Sequence, residues 1–332
     1  MKKFVGMLAL AGAVALVLTG CASGGTTVGG GSTAGSGSGS DSSPVKVGFS
    51  QVGAESGWRS ANTTSLKNSL DDANGFKLTF SDAQQKQENQ IAAIRSFITQ
   101  GVGAIVFAPV VETGWDDVLK EAKDAKIPVI LEDRSVDSDP NLYTTRVGDD
   151  FEKEGETAGK WVADTFNGKK ANLVVLEGTT GSSAANDRTT GFNKAIVGSD
   201  VKVLDSQTGN FTRSEGKTVM EGFLQKYGKT INVLFAQNDD MGLGALDAIK
   251  AAGLTPGKDI QIVTIDGTKD GLTALSNGAF NYVVECNPLL GDQVAAIVKK
   301  VVAGETVDKL YLAKDQAFDQ AQATAALPTR QY

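Results

Sequence analysis

Histidine is absent from all 332 residues. That removes the commonest general base and transition-metal ligand, and with it every Ser-His-Asp, Cys-His and histidine-containing zinc arrangement. Cysteine is almost absent: Cys21 and Cys286 allow at most one disulfide. Basic charge is short too, with 32 Lys and Arg against 39 Asp and Glu and a formal charge of -7. A nucleic-acid-binding surface is expected to be basic, so no nucleic-acid partner is expected. What is present, 41% hydrophobic and 21% charged residues, is ordinary for a globular protein and enough for two domain-sized cores.

Lys2 and Lys3 precede an apolar run from Phe4 to Leu18, the charged and hydrophobic regions of a secretory signal, too short for a comfortable transmembrane helix. The run ends in Leu18-Thr19-Gly20-Cys21, which matches a lipobox. Residues 1–20 therefore read as a lipoprotein signal peptide. Cleavage before Cys21 would leave its thiol and new amine for acylation, anchoring the chain to the outer face of the cell membrane. With Cys21 lipidated, Cys286 has no intramolecular partner. Loss of Lys2 and Lys3 takes the mature charge to -9. Residues 21–43 read as a tether, since the 22 residues from Ala22 to Ser43 are nearly all Gly, Ser and Thr. As a random coil they span about 25 Å.

From Val45 onward, short β-branched or aromatic runs alternate with segments of helical period, the signature of βαβ units and parallel sheets. Strands are expected at Val45–Phe49, Lys77–Ser81, Ala104–Phe107, Val129–Leu131, Asn172–Leu176, Val201–Asp205, Val233–Ala236 and Gln261–Ile265. Helices fill the intervals, with Ile91, Ile94 and Ile98 spaced to form a core-facing stripe. Leu142–Asp150 is polar and lacks a long apolar helix, and it reads as a crossover between two lobes.

In open α/β sheets a ligand binds outside the carboxyl ends of the strands. The sequence places Ser56, Trp58 and Arg59 after the first expected strand, and Asp133 and Arg134 after the fourth. Arg188 follows the fifth, Phe211 the sixth, Asn238 the seventh and Asp266 the eighth. A sugar offers hydroxyls that donate and accept, plus a C–H face. Asp accepts from two hydroxyls, Arg donates bidentately, Asn does both, and Trp58 and Phe211 offer stacking surfaces. Asp or Asn at a strand end is equally suited to cap a helix, and Asp187 and Asp239 are read as caps or surface charges. Arg134 and Arg188 need a carboxylate or a ligand as partner, and an ion pair within one lobe would also satisfy them.

Asp133-Arg134, Arg188, Gln237-Asn238-Asp239 and Asp266-Gly267-Thr268 stand in the order and context of the ligand residues of the periplasmic sugar-binding proteins of ABC importers. From about Val45 to its end the chain resembles the ribose-binding branch of that family. Val47–Gly53, Glu55-Ser56-Gly57-Trp58-Arg59, Gln84–Gln90 and Asn210–Ser214 look like the galactofuranose binders within it. The resemblance implies an α/β fold of the type I periplasmic binding protein class: two Rossmann-like lobes with parallel sheets, joined by a three-strand hinge and closing on one monosaccharide. It divides the chain into an N-terminal lobe of 44–145 plus about 287–314 and a C-terminal lobe of 146–286 plus about 315–332. It implies galactofuranose or a related aldose as ligand, a permease with its cytoplasmic ATPase as partner, a monomer, and no cofactor, metal or catalysis. Where the ribose-binding branch has Gln two residues before a Pro, this chain has Cys286 ahead of Asn287-Pro288, leaving the roles of Glu285 and Cys286 open.

Other readings fare less well. A glycosidase needs two carboxylates about one bond, and Asp133 and Asp266 could imitate that pair, but each sits beside Arg or Asn. Gly209…Gly216-Lys217-Thr218 separates its glycines by six residues where a phosphate loop requires four. Gly242 and Gly244 lack the third glycine of a dinucleotide fingerprint. A repressor effector domain does not fit an export signal. A sugar-sensing module for a chemoreceptor or sensor kinase would bind the same ligand and differ only in its partner.

Overall fold

The computed structural model describes residues 43–332. The expected signal peptide, Cys21 and all of the tether before Ser43 lie outside the described residues. No described helix is long and apolar enough to cross a membrane.

The chain first lays down β1 (Val45–Gln51), α1 (Gly57–Ser69), β2 (Phe76–Asp82), α2 (Gln87–Thr99), β3 (Ala104–Phe107), α3 (Asp116–Asp124), β4 (Val129–Glu132) and β5 (Thr145–Gly148). It then crosses to a second body of α4 (Phe151–Thr165), β6 (Ala171–Glu177), α5 (Ser183–Ala195), β7 (Val201–Thr208), α6 (Arg213–Tyr227), β8 (Val233–Ala236), α7 (Asp239–Ala251), β9 (Gln261–Asp266), α8 (Lys269–Ser276) and β10 (Tyr282–Glu285). It returns for α9 (Gly291–Val302) and β11 (Leu310–Leu312), then crosses again to end in β12 (Ala317–Phe318) and α10 (Gln320–Ala326).

Two six-stranded sheets result, ordered β11-β5-β4-β3-β1-β2 and β12-β10-β9-β8-β6-β7. Their neighbours pair in parallel except β10 with β12, which is antiparallel. This is the type I periplasmic binding protein fold, with the lobes joined by three crossovers at 149–150, 286–290 and 313–316. Strand β3 shows why the runs are continuously apolar: Ala104 and Val106 pack into the core on one face, Ile105 and Phe107 into that on the other.

The eight expected strands are all present, and four more accompany them. Leu142–Asp150, read as a crossover alone, contains β5, whose Thr145 and Val147 are buried in the first sheet. The crossover proper starts only after Gly148, so the expected lobe boundary at 145 falls at the start of this strand.

Candidate ligand-binding site

Both sheets reverse their order next to the first strand of each lobe, between β1 and β3 and between β6 and β8. Loops leaving the carboxyl ends there open a crevice on each lobe, and the two crevices face each other. Between them lies a small cavity, suited to one small molecule rather than to an extended ligand. Ser56, Trp58, Arg59, Asp133, Arg134, Arg188, Phe211, Asn238 and Asp266 all line it. Glu55, Ala184 and Cys286 line it too, and none of these three was among the expected ligand residues.

On the first lobe, Ser56 caps α1 by accepting from the Arg59 amide at 3.1 Å, which fixes the turn that aims Trp58 and Arg59 inward. Arg59 donates through Nη2 to Asp133 Oδ2 at 2.6 Å and through Nε to Glu55 Oε1 at 3.0 Å. Burial opposes the Arg59 charge, but Asp133, Glu55 and Glu132 outweigh it and raise its pKa. Arg134 is held by the carbonyl of Val110 at 3.1 Å, with Glu55 and Asp133 further off at 3.7 and 3.8 Å. Burial and the neighbouring Arg59 lower it to about 10, so it stays cationic at neutral pH. Its Nε has no hydrogen-bond partner among the described residues.

On the second lobe, Arg188 Nε donates to Glu154 Oε2 and Nη1 to the Gln237 carbonyl, both at 2.7 Å. This is an ion pair within one lobe, yet the guanidinium still lines the cavity. Arg188 and Arg134 lie over the Phe211 ring at 5.8 and 5.3 Å, so the phenyl face bridges the two lobes' cations. Asn238 caps α7 through Oδ1 and donates from Nδ2 to the Phe211 carbonyl at 3.1 Å, so much of its side chain is spent on structure. Asp266 has the opposite character. Burial first, then Asp239, pushes its carboxyl well above the usual range, and its Oδ2 has no hydrogen-bond donor among the described residues.

The backbone is strained where the site is built. Asp133, Phe211 and Asp266 have φ of 60°, 61° and 131°, a region that non-glycine residues rarely occupy. Gly178 is required beside them, because a Cβ there would overlap the Phe211 ring.

The lobes are closed on this cavity. Gly57 N donates to Asp240 Oδ2 at 2.7 Å, Ser135 N to Ser183 Oγ at 2.9 Å and Glu112 N to the Gly181 carbonyl at 2.9 Å, each across the cleft. Trp58 Nε1 reaches the Cys286 carbonyl in a crossover at 2.7 Å.

Two other residues differ from their expected roles. Asp239 is fully buried, neither cap nor surface charge; it accepts from Thr264 Oγ1 and from the amide and hydroxyl of Thr268, tying α7 to β9 and α8. Asp187 is half-buried inside α5, whose cap is Ser182. Of the two left open, Glu285 points away to Arg330 and Tyr332, and Cys286 is a buried free thiol on the cavity wall. The sequence signal for Glu55 was its spacing four residues before Arg59, an i,i+4 ion pair.

The chain is similar over most of its length to several known proteins. The galactofuranose-binding protein of Escherichia coli (strain K12) is 50% identical over 280 residues, covering 83% of this chain and 88% of its own. A Mycobacterium smegmatis protein solved in complex with β-D-fucofuranose is 57% identical with a TM-score of 0.84, covering 87% of this chain and 95% of that one. The periplasmic binding component of the arabinose ABC transporter from Shewanella sp. ANA-3, bound to α- and β-L-arabinofuranose, is 46% identical with a TM-score of 0.83, covering 86% and 96%. The first and third are named as binding proteins, not enzymes. The model of the periplasmic binding protein domain matches residues 47–306, from β1 past α9. Because that match takes in ten of the twelve described strands and every residue that lines the cavity, the chain belongs to the periplasmic binding protein family.

Proposed function

We propose that the protein is the extracytoplasmic solute-binding component of an ABC sugar importer, capturing one monosaccharide between its lobes and presenting the closed form to the permease. The observation that carries this reading is the balance of the cavity wall. Three guanidiniums, Arg59, Arg134 and Arg188, face three acidic side chains, Glu55, Asp133 and Asp266, so that by residue type the wall is balanced. A wall without formal net charge suits a neutral, hydroxyl-rich ligand better than an anion or a cation.

In this role Asp133 and Asp266 accept sugar hydroxyls, Arg134 and Arg188 donate to them, and Trp58 and Phe211 cover the C–H faces of the ring. Ser56, Arg59 and Asn238 complete the wall and hold its geometry. The relatives named with galactofuranose, fucofuranose and arabinofuranose support a five-membered ring. Closure follows as a population shift, because a ligand touching both lobes binds best when they meet. The lipobox at Cys21 supplies an anchor and residues 21–43 a tether, keeping the two lobes within reach of a membrane partner.

A thermal-shift panel tests this. L-arabinose, D-fucose and D-galactose, whose solutions contain furanose forms, are compared with amino acids and nucleotides. Binding at a hundredfold excess over Kd stabilises by about 2.7 kcal/mol, which raises Tm by several degrees. At least one aldose should do so, and the Cys21→Ala protein should keep that shift while leaving the membrane fraction. A panel in which only charged ligands shift Tm contradicts the proposal.

A further inference from the structure

The three crossovers meet at a pair of carboxyl groups outside the ligand cavity. Asp149 lies in the first crossover, Asn287 in the second and Asp315 in the third. The single Asn287 N–H donates to both Asp149 Oδ1, at 3.1 Å, and Asp315 Oδ1, at 3.2 Å. The two carboxyls thus stand side by side, within hydrogen-bonding reach of each other. Asp149 is fully buried and its Oδ2 has no hydrogen-bond donor among the described residues. Two adjacent carboxylates in a buried site cannot both ionise cheaply, and one donor cannot neutralise two charges.

We propose that Asp149 and Asp315 share one proton in the closed protein, and that this proton links the first and third crossovers, making closure of the lobes proton-dependent. Each partner rides on a different crossover, so a change of hinge angle changes their separation and the proton's worth. The rest of the surroundings favours a proton as well. Facing the pair are Glu154 from α4, Asp133 beyond β4, Glu285 at the end of β10 and the Cys286 thiol, with two cations nearby: Arg188, and Arg146 of β5, whose Nη2 donates to the Asp149 carbonyl at 3.0 Å. Arg188 is already committed to Glu154, and Glu285 to Arg330. A surface groove lined by Asp150, Lys153 and Asp315 gives solvent protons a route in.

Burial, followed by the like charge of its partner, raises Asp149 well above its usual range; burial also leads the rise of Asp315 to about 6. The apparent values belong to the pair rather than to either residue. The sign follows from linkage. With the proton held more tightly closed than open, closure takes up protons, and its advantage is present at acidic pH and lost as pH rises through the upper apparent value of the pair, which burial sets well above the usual carboxyl range. The coupling to ligand affinity rests on the sugar-binding reading; the hinge equilibrium itself does not.

The test is calorimetry of L-arabinose binding between pH 5.5 and 8, with chelator present, in buffers of different ionisation enthalpy. The wild type should take up a fraction of a proton on binding, and its affinity should fall roughly three- to tenfold across the range, since one coupled proton gives at most tenfold per pH unit. Asp149→Asn keeps an acceptor for Asn287 and can donate to Asp315 as the protonated acid would; it should bind with the wild type's acid-pH affinity and keep only the shallower slope left by Glu154, which burial raises to about 7, and by Asp266, which burial also raises. Asp315→Asn serves as the second variant, and thermal melting confirms that each folds. Zero proton uptake with flat affinity in the wild type overturns the proposal, as does a wild-type slope surviving in both variants, or a slope abolished by the chelator, which would assign the site to a cation. If L-arabinose does not bind, the ligand reading is what fails. The hinge is then read in ligand-free protein by X-ray scattering, where the radius of gyration should grow with pH in the wild type and not in Asp149→Asn. Equal curves for the two would overturn the proposal.

Discussion

Asp133, Phe211 and Asp266 occupy backbone conformations that cost of order 1–3 kcal/mol each. All three lie at or just beyond strand ends and line one cavity, so the strain falls on the wall of the proposed ligand site. Their recognition from sequence rests on the rule that chemistry in such folds gathers beyond the carboxyl ends of strands, together with the resemblance to the sugar-binding proteins, and the nine residues so placed do share a cavity. The rule is blind to Cys286, which sits in a crossover, and to Ala184, whose small side chain carries no signal. It also misjudged Asp239, because nothing local announces that an acid in the first turn of a helix will be buried against two threonines. Arg134 has an Nε with no hydrogen-bond partner among the described residues, Asp133 lying at 3.8 Å. Truncating one member of a buried charge pair costs about 2–5 kcal/mol, so Arg134→Ala should weaken ligand binding by roughly 30-fold or more at unchanged stoichiometry. Calorimetry decides; near wild-type affinity removes Arg134 from the site.

Elements were legible in proportion to how much apolar surface they bury on both faces. Strands β3, β4 and β8 are buried throughout and stand out as continuous apolar runs. Strand β5, Thr-Arg-Val-Gly, has one strongly apolar residue, and its Arg146 donates to the Asp133 carbonyl at 2.8 Å and so braces the site from behind. β11 and β12 are edge strands of three and two residues, specified by tertiary pairing rather than by local pattern. Helices α4 and α5 pack unusually close, since a Cβ on Gly155 would meet the Arg188 carbonyl and one on Gly191 the Glu152 carbonyl. Arg188 and Glu154, which face each other across this contact, depend on it. Gly191→Ala should therefore cost about 1–3 kcal/mol in urea unfolding, the usual range for overpacking, and weaken ligand binding as Arg188 shifts. A variant with unchanged stability and affinity would show that the close approach is not needed.

For the whole molecule, the two-lobe architecture was legible because alternating strands and helices leave few alternatives. How the lobes meet was not. Contacts such as Gly57 with Asp240 and Ser135 with Ser183 join residues 183 and 48 positions apart, and no local pattern encodes them. They make closure a discrete state, in which ligand, cleft-edge hydrogen bonds and hinge act together. The missing histidines fit this picture: holding a neutral ring by Asp, Arg and aromatic faces requires no proton transfer to the ligand.

A closed cavity lined by both lobes should hold a neutral sugar through groups from each of them. This is tested most directly by calorimetric titration of L-arabinose, D-fucose and D-galactose into the wild type and into Asp266→Asn. The account predicts one site per chain for at least one of these sugars in the wild type, and affinity at least tenfold weaker in Asp266→Asn, whose Oδ2 has no protein donor to lose. No heat from any aldose, or equal affinity in the two proteins, would contradict it.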